Sequence, residues 1–307
     1  MQAAVGNERI ELGENELGPV LESCPFCGRT ANSPVLALQT APKVELMSCG
    51  GCGADYAARM PTRAALDAYY ARYYAHPKYR GLAEAVHFSQ PERLADHLMS
   101  CMHPDFPREI RILDFGGGDG SIAVLLAERL IRAGAGRVDI VLVDYGTSLR
   151  TPGDRSIRIA RAANLGALDR GEYDIVIASA SLEHVPELRE TLTALLGKMR
   201  RGAQFYARTP YMTPLIRFVH RAGLRVDFGW PAHLYDLGES FWSRLPTTMG
   251  LGEGYRVTAS RPAIVESTFA SAPLRTTAAH LLKAPWRLFG ERYGLVGGWE
   301  AVIERGR

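Results

Sequence analysis

Seven consecutive residues constrain this chain more than any others: Asp114-Phe115-Gly116-Gly117-Gly118-Asp119-Gly120. They join a short apolar run, Arg111 to Phe115, to an amphipathic stretch from Ser121 to Ile131. Gly116, Gly118 and Gly120 recur at every second position, and glycine lets a backbone turn sharply and approach a ligand closely. A strand, a glycine turn and a helix in that order point to an open α/β sheet. The turn alone is a weak signal, because nucleotide folds of several kinds use it. Two carboxylates sharpen it. Asp114 precedes the turn, and Asp144 ends the next apolar run, 24 residues after Gly120. A carboxylate at that second place can hydrogen-bond both hydroxyls of a ribose.

The pattern downstream keeps alternating. Val138 to Val143, Tyr173 to Ser179 and Ala203 to Arg208 read as strands, and Pro186 to Met199 reads as a helix. Such alternation predicts a parallel sheet with crossover helices. A further strand is expected between Asp144 and Tyr173, at Arg155 to Ala160. Near the end, Gly238 to Met249 reads as a helix. Tyr255 to Ser260 and Trp299 to Glu304 read as two late strands, separated by a helical insertion at about 271–293. Two late strands around an insertion fit an antiparallel pair at a sheet edge. The 307 residues are 47% hydrophobic and 22% charged, which excludes a mainly disordered chain and allows one large domain or two modest ones.

Four of the five cysteines form two tight pairs, Cys24-Pro25-Phe26-Cys27 and Cys49-Gly50-Gly51-Cys52. Each pair is followed by a glycine, Gly28 or Gly53, and two short strands, Val35 to Leu38 and Lys43 to Met47, lie between the pairs. Two such knuckles on a hairpin bring four thiolates into a tetrahedron, the geometry of a closed structural Zn²⁺ site. Cys24, Cys27, Cys49 and Cys52 are therefore the expected metal ligands, and residues 23–60 the expected zinc ribbon. A redox pair is the alternative reading. Cys101 stands alone and reads as an ordinary thiol.

Residues 1–22, with five glutamates and one arginine, are expected to form a flexible acidic lead. They lack the pattern of a secretory signal, and no apolar run reaches the ~18 residues of a membrane span, so a cytoplasmic location is expected. Residues 61–107 read as a helical linker or lid, with Thr62 as a helix cap. Tyr70, Tyr73 and Tyr74 share one face of that helix. They either pack between the ribbon and the main domain or close over a site, with a hydroxyl on the substrate. Pro285 to Phe289 is amphipathic and basic, and is read as packing over the substrate mouth or touching a membrane.

From residue 108 onward the chain resembles the class I S-adenosylmethionine-dependent methyltransferases. Ile112 to Gly120 resembles their first motif, Tyr173 to Pro186 the fourth, and Gly202 to Pro210 their fifth strand. The resemblance implies a Rossmann-like seven-stranded sheet with a reversed final hairpin, spanning residues 108–307. It implies that Gly116, Gly117, Gly118 and Gly120 line the methionine part of S-adenosylmethionine, with Asp114 near its amino group. Asp144 would hold the ribose and Tyr145 would flank the adenine. Asn164 and Leu165 would contact the adenine, and Ser179 and Ala180 would border the methionine end. The cysteine pairs followed by Tyr70-Ala71-Arg72-Tyr73-Tyr74 resemble zinc-ribbon methyltransferases acting on nucleotide sugars or natural-product scaffolds. Trp230-Pro231-Ala232-His233-Leu234-Tyr235 resembles a segment of the same enzymes, which suggests Tyr235 as a further substrate contact.

Methyl transfer is an in-line displacement that needs a positioned acceptor and, for some acceptors, a base. His184 is the first candidate base, followed by His233 and Glu183; each can equally be a structural residue. A small-molecule acceptor is the leading expectation. An RNA base is the second, with the ribbon gripping RNA, and a non-catalytic scaffold is the third. Charge weighs against nucleic acid. Residues 1–60 hold four basic and seven acidic side chains, against fourteen and eight in residues 201–307, whereas phosphate binding needs Lys and Arg.

Overall fold

The computed structural model describes residues 11–75, 90–102, 107–146, 148–169, 172–221, 223, 226–290 and 293–307; the side chains of 73–75 lie outside that description. The glycine turn sits where alternation predicts it, between strand β4 (Glu109–Phe115) and helix α3 (Ser121–Arg132). Around β4 lie β5 (Arg137–Val143), β6 (Ile157–Ala162), β7 (Tyr173–Ser179), β8 (Met199–Thr209), β10 (Tyr255–Pro262) and β11 (Trp299–Arg305). They form one seven-stranded sheet in the order β10-β11-β8-β7-β4-β5-β6. Strands β4 to β8 pair in parallel, and β11 runs antiparallel to both β8 and β10. The reversed final hairpin implied by the sequence is present.

Side-chain alternation divides the sheet between two cores. In β7, Ile175 and Ile177 face one side while Val176 and Ala178 face the other; in β8, Tyr206 faces the first while Phe205 and Ala207 face the second. This is the period of two expected of a sheet covered on both faces. The first face is covered by α3 and by α2 (Pro91–Cys101), which contributes Leu94 and Leu98. The second is covered by α4 (Leu188–Lys198) and α6 (Glu239–Met249). The third parallel strand runs from Ile157 to Ala162, two residues later than expected. Neither 144–156 nor 163–169 contains an α-helix, and this is why the alternation is hard to read there.

The cysteine module is a second, four-stranded antiparallel sheet. Its strands β1 (Asn32–Thr40), β2 (Lys43–Cys49) and β3 (Asp55–Ala57) are joined by β9 (Tyr235–Asp236), which arrives from the far part of the chain. Cys24, Phe26, Cys49 and Tyr56 belong to the same buried cluster as Phe241 and Trp242 of α6. A module this short has little core of its own, and it shares that of the larger sheet. The expectation of a flexible lead needs correction for residues 11–22. Leu12 and Leu17 are buried, Leu12 exchanges two hydrogen bonds with Gln39, and the Arg59 guanidinium donates to both Glu14 carboxylate oxygens. Residues 1–10 lie outside the description.

Helix α1 (Arg63–Ala75) follows the module, and α5 (Thr213–Arg221), which is not among the expected helices although it opens on Thr213-Pro214, follows β8. The insertion contains α7 (Pro273–Lys283) and α8 (Trp286–Phe289). No helix among the described residues is long and apolar enough to cross a membrane.

A buried polar network fastens α2 to the final hairpin. The Glu300 carboxylate is 1% exposed and accepts from His97 Nε2 (2.8 Å), Tyr206 Oη (3.0 Å) and Arg261 Nε (2.7 Å). Burial alone favours the neutral imidazole, but Cys101 and Glu300 outweigh it and raise His97 to about 9, above the ordinary 6.5. A raised histidine contributes stability that is whole below pH 6.5 and is lost as pH climbs through about 9. Urea unfolding should show a loss on the order of 2–3 kcal/mol over that interval. His97→Gln should flatten the slope, and equal slopes in the two proteins would refute the linkage.

Candidate functional site

The glycine turn is held to the sheet by backbone and by one carboxylate. Gly116 N–H donates to the Val143 carbonyl at 2.8 Å. The two oxygens of Asp144, just past β5, accept from Gly118 N–H (2.9 Å) and Gly146 N–H (2.7 Å). Asp144 therefore ties its own loop to the glycine turn, and its remaining lone pairs are what it can offer a ribose. Asp119 accepts from the N–H and hydroxyl of Ser121 and closes the start of α3. Gly120 has φ +81°, a left-handed conformation that disfavours side chains. At Gly117 a Cβ would lie 2.1 Å from Asp114 Oδ2, so this position has no room for a side chain.

Asp114 is 1% exposed, and its Oδ2 has no hydrogen-bond partner. Burial, followed by the charges of Asp144 and Asp119, raises its carboxyl to about 7. An unmet buried carboxylate is costly, and a cationic group resting on the glycine turn would satisfy it. This orphaned oxygen and the open backbone of the turn fit the amino-acid end of S-adenosylmethionine.

The turn after β7 lies against the glycine turn. A Cβ on Gly116 would meet Ser181 Cβ at 2.4 Å, and Ser181 Oγ is buried without a partner. Ala180 is the one non-glycine among the described residues with positive φ, at +56°, a conformation costing on the order of 1 kcal/mol. Its N–H donates to the Arg208 carbonyl at 2.7 Å, which holds the chain in that kink. Ser179 Oγ accepts from Arg208 Nε at 3.0 Å, and Arg208 pairs with Glu266 from the start of the insertion.

Two residues beyond Ser181, Glu183 and His184 meet His233. His184 Nδ1 is 2.9 Å from the Ala232 carbonyl, and His233 Nδ1 is 2.9 Å from the Phe228 carbonyl. Carbonyls only accept, so both Nδ1 atoms carry hydrogen and both Nε2 atoms keep their lone pairs when the rings are neutral. The rings lie edge to face at 5.0 Å. Burial and the neighbouring His184 push His233 down to about 3. Glu183 is 2% exposed; burial raises its carboxyl, and Oε2 has no partner. His184 keeps 29% of its side chain exposed, with Nε2 3.7 Å from Glu183 Oε1. The three expected catalytic residues therefore share one site.

Helix α1 spans the mouth of this site. The Arg63 guanidinium lies over the Tyr145 ring at 5.9 Å, and one end of the helix away the Tyr70 ring meets His184 at 6.3 Å. Tyr145 is 81% exposed. The side chains of Tyr73 and Tyr74 lie outside the described set. Tyr235 departs from its expected role as a substrate contact. It is fully buried beside the cysteine module, and its hydroxyl donates to the Pro186 carbonyl at 2.8 Å. Asn164 is exposed and Leu165 half-buried. The Asn164 carboxamide oxygen accepts from Ala167 N–H, and Leu165 packs against the core under α4.

The cysteine sulfurs are all within 4.8 Å of one another, with Cys24–Cys52 at 3.7 Å and Cys27–Cys49 at 3.5 Å. Four sulfurs about 2.3 Å from a tetrahedral zinc stand roughly 3.8 Å apart, so this set fits the ion. The contact with Cys24 and burial push the Cys52 thiol up, so the shell favours four thiolates only around a cation. Sequence reading missed Ser181, Arg208 and Glu266. Only Arg208 left a signal, a lone cation ending the apolar run Phe205-Tyr206-Ala207.

Residues 85–242, just over half of the chain, match the family model of a methyltransferase domain. No curated protein matches the chain significantly. Among solved structures, the plantazolicin methyltransferase BamL, bound to a triazolic desmethylPZN analog and SAH, aligns with a TM-score of 0.50. The identity is 14%, covering 79% of this chain and 96% of that one. A complex of the Haloferax volcanii Trm112 methyltransferase activator with a putative methyltransferase gives a TM-score of 0.47 at 14% identity, covering 79% and 98%. An S-adenosylmethionine-dependent methyltransferase from Mesorhizobium loti gives 0.44 at 14%, covering 68% and 96%. At these identities the likeness is one of fold.

Proposed function

The chain belongs to the methyltransferase-domain family, as a class I S-adenosylmethionine-dependent methyltransferase, and on that premise we propose that it methylates a small-molecule acceptor activated at His184. S-adenosylmethionine is the co-substrate, and when bound it supplies a methyl group on an already activated sulfonium. The backbone of Gly116 to Gly120 faces its methionine part, and Asp114 meets the amino group. Asp144 serves the ribose while bracing the turn, and exposed Tyr145 covers the adenine. Ser179 and Ala180 border the methionine end.

The observation that carries the reading is the set of hydrogen bonds at His184. Its Nδ1–H is fixed on the Ala232 carbonyl, which leaves the Nε2 lone pair of a partly exposed ring three residues beyond the serine that packs on the glycine turn. A lone pair there can take the proton of an acceptor hydroxyl, phenol or carbon acid. Tyr70 and the rest of α1 act as the roof of the acceptor space, and the segment leading into the 271–293 insertion closes its far side through Glu266 and its pair with Arg208.

The cysteine module, residues 23–60, is read as a zinc-held ribbon whose role is structural. Its knuckles are docked rather than free: Arg189 donates to the Phe26 carbonyl, and Arg244 donates to those of Gly50 and Gly51. That docking, with the acidic balance of residues 1–60, favours a small molecule over RNA. The BamL structure, bound to a compound of small size, is in keeping with this choice.

Calorimetric titration with S-adenosylmethionine tests the cofactor assignment. An ammonium group prefers the ionised Asp114, so affinity should rise with pH roughly tenfold per unit up to about 7 and then level off. Asp114→Asn should remove that slope, and a pH-independent affinity in the parent would refute the pairing. His184→Ala should lower turnover by about 10²–10⁴-fold while cofactor affinity is kept; unchanged turnover would take His184 out of the reaction. Cobalt added to the metal-stripped chain should give a thiolate-to-cobalt charge-transfer band that Cys49→Ser abolishes. A folded chain that gives no such band would overturn the zinc assignment.

A further inference from the structure

The Nε2 lone pairs that can take a proton can also hold a cation, and the surroundings of Glu183, His184 and His233 favour a cation. Each of the three offers a ligand atom, and these atoms lie within 4.8 Å of one another. Two imidazoles whose Nδ1–H groups are fixed on backbone carbonyls form the outer hydrogen-bonding pattern that orients metal-bound histidines. The third member is the Glu183 carboxylate, whose Oε1 lies 3.7 Å from His184 Nε2 and whose Oε2 is buried and has no hydrogen-bond partner. A buried, unpartnered acceptor beside two acceptor nitrogens lacks only a positive group.

A contrasting cluster in the same molecule sharpens the point. His97, Cys101 and Glu300 also lie within ligand distance of one another. There the Arg261 guanidinium already donates to both Cys101 and Glu300, so the cation is a side chain of the protein. At Glu183 the charge of Arg208 acts without an ion pair, and the one ion-pair contact among the described residues is the 3.7 Å approach of His184 itself.

We infer that Glu183, His184 and His233 form a binding site for a divalent transition-metal ion, with at least one coordination position open toward the acceptor. Two imidazoles and one carboxylate suit zinc, manganese, iron or cobalt better than magnesium or calcium. Ligand atoms around such an ion stand roughly 3.4 Å apart at bonds of about 2.1 Å, so closing the site takes only small side-chain rotations. The open position lies on the side where His184 is exposed and Tyr70 approaches.

This inference deepens the methyl-transfer reading and rests on it for the acceptor's identity; with the ion bound, His184 Nε2 is a ligand, and the metal takes over from it the activation of the acceptor. An acceptor oxygen bound to the metal would lose its proton to solvent more readily, because a bound cation lowers the pKa of its ligand. The acceptor class is then an alcohol, phenol or enol with an oxygen that can reach the metal. The O–H bond breaks, the proton leaves to water, and the oxygen keeps the electron pair that attacks the methyl carbon; as the O–C bond forms, the carbon–sulfur bond of the sulfonium breaks and the sulfur keeps that pair, leaving as the neutral thioether.

The test is cobalt titration of the metal-stripped full chain, followed by absorption spectroscopy and by metal analysis after dialysis. The expected result is a second bound cobalt, about one equivalent beyond the cysteine site, with d–d bands but no added thiolate charge transfer. His233→Ala and Glu183→Gln should each lose that equivalent and leave the charge-transfer band intact. Saturation of the parent at the cysteine equivalent alone would overturn the inference, without need of any variant. So would full retention of the second equivalent in both variants. Methyl transfer by a chain holding no second metal would keep the proposed function and discard this site. A second cobalt bound by a chain that transfers no methyl group would keep the site and discard that function.

Discussion

The site depends on the contact between two backbone turns. Gly116, at the end of β4, lies so close to Ser181, after β7, that a side chain would have to share its space with the serine Cβ. That approach sets the distance from the glycine turn to the Glu183–His184 turn. Hydrogen bonds then hold each half in place: Asp144 on one side, and the Arg208 carbonyl under the kinked Ala180 on the other. Parallel strands β4 and β7 are neighbours in the sheet, so their carboxyl ends open onto the same crevice. Cofactor chemistry and acceptor chemistry meet there because the sheet order leaves no other place for them.

Three buried polar atoms near this contact lack partners: Asp114 Oδ2, Ser181 Oγ and Glu183 Oε2. Elsewhere buried carboxylates are well served. Glu300 accepts from three side chains, and Asp236 accepts from the N–H groups that open α5. Unsatisfied acceptors gathered at one crevice indicate where the protein expects positive charge. In the reading proposed above, Asp114 would meet the amino group of the co-substrate, and Glu183 a metal ion.

The cysteine module is a structural extension of the larger domain. Strand β9 adds to its sheet, Phe26 packs edge to face on Phe241, and Gly53 sits against Ser240 and Phe241 with no room for a side chain. Its opposite end leads through the bridge between Leu17 and Pro61 into α1. Order at the cysteines is thereby transmitted to the helix that spans the mouth.

Local rules sufficed for much of this. Strands β4, β5, β7 and β8, helices α3, α4 and α6, the late hairpin and the two cysteine knuckles are all legible in the sequence, because each has its own periodicity or turn chemistry. The cofactor turn is legible for the same reason: its glycines and Asp114 are contiguous. The groups that had to be found by folding are those joined across long sequence distances. Tyr235 reads like a substrate tyrosine, but pairing of β9 with β3 draws it into the core. The ordered lead depends on Arg59, and the partners of Ser179 lie at Arg208 and Glu266. His184 and His233 are each ambiguous alone, and only the chain path through Ala232 and Phe228 turns both Nε2 atoms inward. The sequence by itself determined the fold family and the cofactor turn, since these rest on short-range backbone geometry. The tertiary structure decided the acceptor side, since it rests on side chains brought together by sheet order and burial.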